Sequence, residues 1–280
     1  MLSNEHFKVI KYFENSRDVF DSVDIKGGVV ISLYNANEEY GKIGLFTVHE
    51  EMNSIIQKIK NVIDLAENNV SIFVSSRGNY RLTDLFFEDF PDAASKVGDG
   101  TGNMIVSNIF EKLPEAFTIK ATSKNYITVV GRNNNERTLR YLDSKYLKPN
   151  EYTGTYNIVL PEANGTGTFG ESLSSPFIAS PYEIATDTFI NIGTFESKDE
   201  ANNFLKYLKT KFCRALLGVL KVTQHNPKSV WELIPWLDFS DKSDIDWSKS
   251  NSDLNKALYT KFNLSEEEIK FIEEQVKPMK

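Results

Sequence analysis

Residues 201–240 read ANNFLKYLKTKFCRALLGVLKVTQHNPKSVWELIPWLDFS. The first half carries apolar side chains at Phe204, Leu205, Leu208, Phe212, Ala215, Leu216 and Val219, the three-and-four spacing of a helix that buries one face. The spacing predicts one amphipathic helix over 201–221. Lys206, Lys209, Lys211, Arg214 and Lys221, with Lys228 beyond, lie mostly off that stripe. At about 100° per residue, Lys206, Arg214 and Lys221 gather on the opposite side, which is expected to meet water or a polyanion. Surface helices usually mix charge signs to gain pairs three or four residues apart, yet no Asp or Glu occurs between Ala201 and Val230. An ordinary solvated face and a phosphate-contacting face both fit the pattern.

The rest of the chain bounds the choice. Its 280 residues are long enough for a real core and for two or three parts. A composition of 40% hydrophobic, 12% aromatic and 25% charged residues excludes a disordered chain or a coiled coil. No apolar run approaches the roughly 18 residues of a membrane span. The start, MLSNEHFKVIKYF, lacks a basic region followed by an apolar core, so no signal peptide is expected and a cytoplasmic location is. The single Cys213 has no partner for a disulfide. A net charge of −7 argues against nucleic acid until its distribution is inspected. Residues 112–148 hold eight basic against three acidic side chains, and 206–231 hold six basic and no acidic ones. Two basic segments in an acidic chain suggest a local polyanion surface.

Along the chain, Phe7–Phe13, Val29–Tyr34 and Ile43–Val48 alternate and favour strands, with Gly27-Gly28 and Asn35-Ala36-Asn37 as turns. Residues 51–66 have helical spacing, and a strand is expected at Val70–Val74. The long middle section favours strands at 118–121, 126–131, 156–160 and 188–192, short helices at 82–90 and 105–112, and loops at Gly98–Gly102 and Asn133–Asn135. Two closing helices start at Ser250, with Asp253 three residues on, and at Ser265, with Glu268. The expected class is α+β: a small antiparallel sheet with a helix at the N-terminus, a β-rich mixed middle and a helical C-terminus. The expected parts are 1–74, 75–235 and 236–280.

No catalytic constellation survives inspection. Gly165-Thr166-Gly167-Thr168-Phe169-Gly170 matches GxGxxG, but Ser174-Ser175-Pro176 breaks the helix a dinucleotide site requires, leaving a flexible hairpin or substrate-facing loop. Asp238, Asp241, Asp244 and Asp246 lack the Gly and distal Glu of a calcium loop. Histidines at 6, 49 and 225 alone supply neither a metal cluster nor a triad. Pro91-Asp92 and Glu196-Ser197-Lys198 are too far apart and too loop-like for a nuclease motif.

The strings YLKTKFCRALLGVLKVTQ, IPWLDFS, DIDWS and LYTKFNLSEEEIKFIEEQVKPM resemble the closing region of type IIG restriction–modification proteins, which fuse an adenine-specific DNA methyltransferase to a nuclease and carry a TaqI-like specificity domain. The string HFKVIKYFENSRDVFDSVDIKGGVVISLYN is similar to the last β-hairpin of their methyltransferase fold. The family's cofactor loop and Asn-Pro-Pro-Tyr-type tetrapeptide do not occur; Asn226-Pro227-Lys228-Ser229 lacks the second Pro and the aromatic. The resemblance therefore implies a C-terminal portion, whether natural fragment, separate specificity subunit or excised piece, that neither methylates nor cuts alone. S-adenosylmethionine and magnesium are expected only for the complete enzyme. The implied partners are double-stranded DNA and a methyltransferase or nuclease portion, with no membrane. On this view Lys206, Lys209, Lys211, Arg214, Lys221 and Lys228 neutralise phosphates, Arg132, Asn133, Asn134, Asn135, Arg137 and Arg140 read base edges, and Gln224 does either. Arg77, Tyr80 and Arg81 form a lesser cluster. Charge reversal at Lys209 and Arg214 is then expected to weaken duplex binding. The alternative is a protein–protein docking module that assembles with a methyltransferase or nuclease subunit.

Overall fold

A computed structural model describes the chain apart from Met1, Glu14, residues 23–27, 98–101, Asn135 and Lys280. The expected base-reading Asn135, Gly27 of the first turn and most of the 98–102 loop lie outside the described residues. Contacts divide the chain into two compact units, 1–57 and 58–280.

In the first unit, β1 (Phe7–Phe13) and β2 (Val29–Tyr34) form an antiparallel ribbon with a register shift between Val9 and Lys11. Both strands are placed where alternation predicts. The expected third strand at Ile43–Val48 is a loop, because Gly44 takes a φ of +62° that interrupts an extended run. Helix α1 (Glu50–Ala66) begins in this unit and carries the chain into the next.

In the second unit the end of α1 is followed by a 3₁₀ turn at Val70–Phe73, where β-forming residues suggest a strand. The Asn69 side chain accepts the Ser71 amide and starts the turn, so local side-chain bonding overrides β propensity. β3 (Arg81–Leu82) is followed by α2 (Asp84–Asp89), α3 (Ala93–Val97) and α4 (Ile109–Lys112). A hairpin of β4 (Tyr126–Asn133) and β5 (Glu136–Asp143) turns through Asn134 at a φ of +50°. β6 (Leu147–Lys148) pairs with β3. β7 (Tyr156–Pro161) lies between β8 (Phe177–Ala179) and β10 (Phe189–Phe195), antiparallel to both, while β9 (Glu183–Ala185) joins β4 in parallel. Thr118 makes only an isolated bridge to Tyr141, so no strand forms at 118–121. One core, including Tyr80, Phe86, Ile109, Phe117, Val129 and Leu142, holds the short helices against the hairpin.

The predicted helix over 201–221 is two helices, α5 (Lys198–Lys209) and α6 (Lys211–Leu220). Thr210 separates them at φ −62°, ψ 151°. Its hydroxyl donates to the Tyr207 carbonyl at 2.6 Å and accepts the Cys213 amide at 3.2 Å, so one side chain closes the first helix and caps the second. Thr210→Ala should lower stability by about 1 kcal/mol, read as a drop in urea midpoint without a change in slope; an unchanged midpoint would dismiss the cap. The break rephases α6. Phe212 through Leu217 are all buried, so α6 is enclosed on every side and has no solvated back.

α7 (Asn251–Lys261) and α8 (Glu266–Gln275) start where their Ser caps predict, and Ser265 with Glu268 completes a reciprocal capping box. Lys58 ties the unit's first turn to α8 by donating to Glu268 Oε2 at 2.7 Å. The fold is α+β, with small antiparallel sheets and helices at the C-terminus.

Candidate nucleic-acid interface

The cations of 206–221 are consumed by the fold. Arg214 is 1% exposed and donates to the carbonyls of Lys209, Gly170, Glu171 and Lys277, fastening α6 to the 165–171 loop and to the C-terminal tail. Lys221, 3% exposed, donates to Glu171 and to the carbonyls of Asn164 and Thr223. Lys206 donates to the Trp247 carbonyl at 2.7 Å, and Lys211 to Glu273 Oε2 at 2.6 Å. Lys206 and Lys209 line a cavity of about 820 Å³ shared with Asp199, Asp241, Asp244 and Asp246. A phosphate entering there would meet carboxylates. The exposed basic back expected for this segment is therefore replaced by buried or acid-facing cations, because the loop, the tail and the 240–248 segment cover it.

Burial of these groups also explains the glycine string. The Glu171 carboxylate accepts the amides of Thr166 at 2.7 Å and Gly167 at 3.2 Å as well as Lys221. The loop's anion-binding amides thus hold the chain's own carboxylate. A Cβ on Gly165, at φ +69°, would lie 2.4 Å from that carboxylate, so only glycine fits. The expected flexible loop is pinned. Burial pushes the Glu171 pKa up, but Lys221 and the two amides outweigh it and hold the group below the usual glutamate value. A lowered folded pKa stabilises above the unfolded value and is lost as pH falls through the folded one. Glu171→Gln should therefore cost about 1–2 kcal/mol at neutral pH, with the gap to the parent shrinking in acid below the usual glutamate value. Urea melts at the two pH values check this, and a constant gap would show that the charge is not what Glu171 contributes.

Other residues converge on one grooved face. Arg77, in the loop after the 3₁₀ turn, donates from Nε to the Asp187 carbonyl at 3.2 Å and from its terminal nitrogen to Asp187 Oδ2 at 3.0 Å, yet its side chain stays 61% exposed. Arg77, Arg81 and Lys228 line a groove of about 670 Å³. Arg77 also lines an adjoining groove of about 250 Å³ with Arg132 and Arg137. Arg132 and Arg137 face each other across the β4–β5 ladder, where like charges repel. Arg137 sits with its guanidinium 5.1 Å from the Phe177 ring centroid and 5.5 Å from that of Phe189, which orients it. Among the described residues no carboxylate forms an ion pair with Arg132, Arg137 or Lys228. Five cations from three distant segments therefore meet three carboxylates, Glu151 and Glu162 along the joined grooves and Asp187 paired with Arg77.

The remaining expectations divide. Tyr80 is 1% exposed and its hydroxyl accepts Asn191 Nδ2 at 3.0 Å; burial raises its pKa, and it belongs to the core and not to the surface expected for it. Arg140 points to the ribbon face opposite Arg137, as strand alternation requires, and lies 5.7 Å from the Phe110 ring centroid. Asn133 is half-buried, while Asn134 is exposed at the hairpin tip with its amide 3.3 Å from Glu111 Oε1. Gln224 is exposed beside His225, and its carbonyl accepts the Asn164 amide at 2.7 Å. Glu162 has no sequence signal of its own; it follows the last residue of β7, and only its place in the lining of both grooves marks it.

The solved structures to which the chain is similar include a restriction enzyme. The type IIG restriction endonuclease BpuSI aligns with 83% of this chain at 11% identity and a TM-score of 0.35, and the chain spans 31% of that enzyme's length. No family model and no curated protein matches the chain. Among the described residues no helix is long and apolar enough to cross a membrane, and no group of three or more His, Cys, Asp or Glu side chains could hold a metal ion.

Proposed function

We propose that the chain recognises double-stranded DNA as the specificity portion of a restriction–modification system, without chemistry of its own. The observation that carries the reading is the meeting of Arg77, Arg81, Arg132, Arg137 and Lys228 on one grooved face of a chain whose net charge is −7. Unpaired arginines opposed across a ladder cost stability, a cost that a bound polyanion removes. On this reading Lys228 and Arg81 contact phosphates, while Arg132 and Arg137, near the tip of the β4–β5 hairpin beyond its pairing with β9, present donors to guanine edges. The resemblance of the closing segments to type IIG proteins supports the same assignment, and S-adenosylmethionine and magnesium would belong to the complete enzyme.

Binding of the chain to a duplex should weaken with salt, with log K falling against log[salt] at a slope of about −2 for the phosphate contacts of Lys228 and Arg81. Fluorescence anisotropy at several salt concentrations measures it, and no binding at low salt would sink the reading. A second reading, docking on a methyltransferase or nuclease subunit, is favoured by the exposed Ile10, Ile31, Leu33 and Tyr34 on the β1–β2 ribbon. A two-stranded ribbon with open edges and apolar side chains in water gains from joining a larger sheet.

A further inference from the structure

We propose, resting on the DNA-recognition reading, that Glu162 is a base-reading acceptor that takes the exocyclic amino group of a nucleobase. Glu162 lines both joined grooves, as Arg77 does. Its backbone is fixed on both sides: its amide donates to the Thr188 carbonyl at 2.9 Å and its carbonyl accepts the Asn226 amide at 2.8 Å. Asn226 is fully buried and donates to the Pro161 carbonyl at 3.0 Å and to Asn164 Oδ1 at 2.8 Å. The carboxylate lies 3.0 Å from His225 Nδ1, its side chain 22% exposed.

Among the described residues no arginine or lysine of the groove forms an ion pair with this carboxylate; its contact is with His225 Nδ1, which leaves lone pairs on its oxygens open to a further donor. Against a phosphate it would only repel. What a fixed carboxylate does in such a groove, and a cation cannot, is accept from cytosine N4 or adenine N6. The oriented Arg137 guanidinium across the same groove suits guanine O6 and N7, so an acid and a base of opposite hydrogen-bonding sense share one platform. The placement on a strand end and a buried asparagine supplies the rigidity that direct readout demands.

The test is selection of preferred duplexes from a randomised pool by the parent chain and by Glu162→Gln, followed by anisotropy at matched salt. The parent is expected to prefer particular bases, and Glu162→Gln to lose roughly tenfold discrimination at one base pair while binding unselected duplex at least as well, since a negative charge is gone. In a second arm, which needs no variant, the parent binds its selected duplex carrying N4-methylcytosine or N6-methyladenine at that base pair. Loss of roughly tenfold in affinity with one modified base names the amino group that Glu162 accepts. Unchanged preference in Glu162→Gln, or indifference to both modified bases, overturns the inference and leaves the cationic groove standing. Binding by the parent with no base preference does the same. Absence of duplex binding by the parent at low salt overturns both.

Discussion

Replacing Arg132 and Arg137 together with Gln is expected to weaken binding to a preferred duplex on the order of a hundredfold at low salt, two contacts each worth about 1–2 kcal/mol, and to relax base preference at the positions they read with little change in the salt slope. The same change should leave the fold intact. The two guanidinium groups oppose each other across β4 and β5, so their removal relieves repulsion of a few tenths of a kcal/mol. That relief offsets the lost contact of Arg137 with Phe177 and Phe189. A melting temperature within a few degrees of the parent, together with the loss of binding, separates recognition from folding. Lys209→Glu is the matched contrast: it faces Asp199, Asp241 and Asp244 across the acidic cavity, and duplex affinity should change by no more than about twofold. Equal losses from both variants would mean that net charge and not the groove governs binding.

The largest effect on stability is expected at Arg214. Its guanidinium satisfies four carbonyls from α5, the 165–171 loop and the tail, of which Gly170 also accepts the Lys277 amide at 3.3 Å. Arg214→Ala would leave a cavity and several buried acceptors without donors, a cost of about 3–5 kcal/mol, which is a large part of the 5–15 kcal/mol that ordinarily holds a domain together. Arg214→Lys keeps the charge but not the planar fork, so it should recover only part of that loss. Denaturant melts of the three proteins read the order, and proteolysis should cut the released tail near Lys277 first in the alanine variant. A loss under about 1 kcal/mol for Arg214→Ala would remove the clamp. The charge reversal at Arg214 that the sequence pattern suggests as a DNA-binding test would instead unfold the unit, and its effect on binding would be read wrongly without a stability control.

These outcomes bear on how much the chain's order of residues reveals. Ser250 and Ser265 announced their helices because a cap is a local event, complete within four residues. β1 and β2 are legible from alternation and β4 and β7 from runs of β-forming residues, signals that need no distant partner to be recognised. β5 was not visible, since ERTLRYLD carries four charged side chains and becomes a strand through its ladder to β4. The turn between them was legible in Asn133-Asn134, because Asn tolerates the left-handed conformation that Asn134 adopts. Val70–Phe73 misled in the other direction, β-forming residues being diverted by one Asn cap.

The candidate site was half legible. Arg77, Arg81, Arg132, Arg137 and Lys228 could be named as cations, but nothing in their spacing says that a loop, a hairpin tip and a short 3₁₀ turn (Lys228–Trp231) share a face. Glu162 could not be named at all, since its role depends on what surrounds it.

By itself the sequence determined the α+β class, the capped closing helices and the apolar stripe at Phe204, Leu208, Phe212 and Leu216, because periodicity and capping are short-range properties of the backbone. Only the tertiary structure decided which cations remain available to a ligand. A helical wheel records one buried face and assumes that the rest meets water, whereas Arg214 and Lys221 are covered by a loop about 45 residues before them and Arg214 also by the tail about 60 residues after it. Burial is set by such long-range contacts, and it turned the basic segment at 206–221 into a structural fastening while leaving Arg132 and Arg137 of the β4–β5 hairpin exposed.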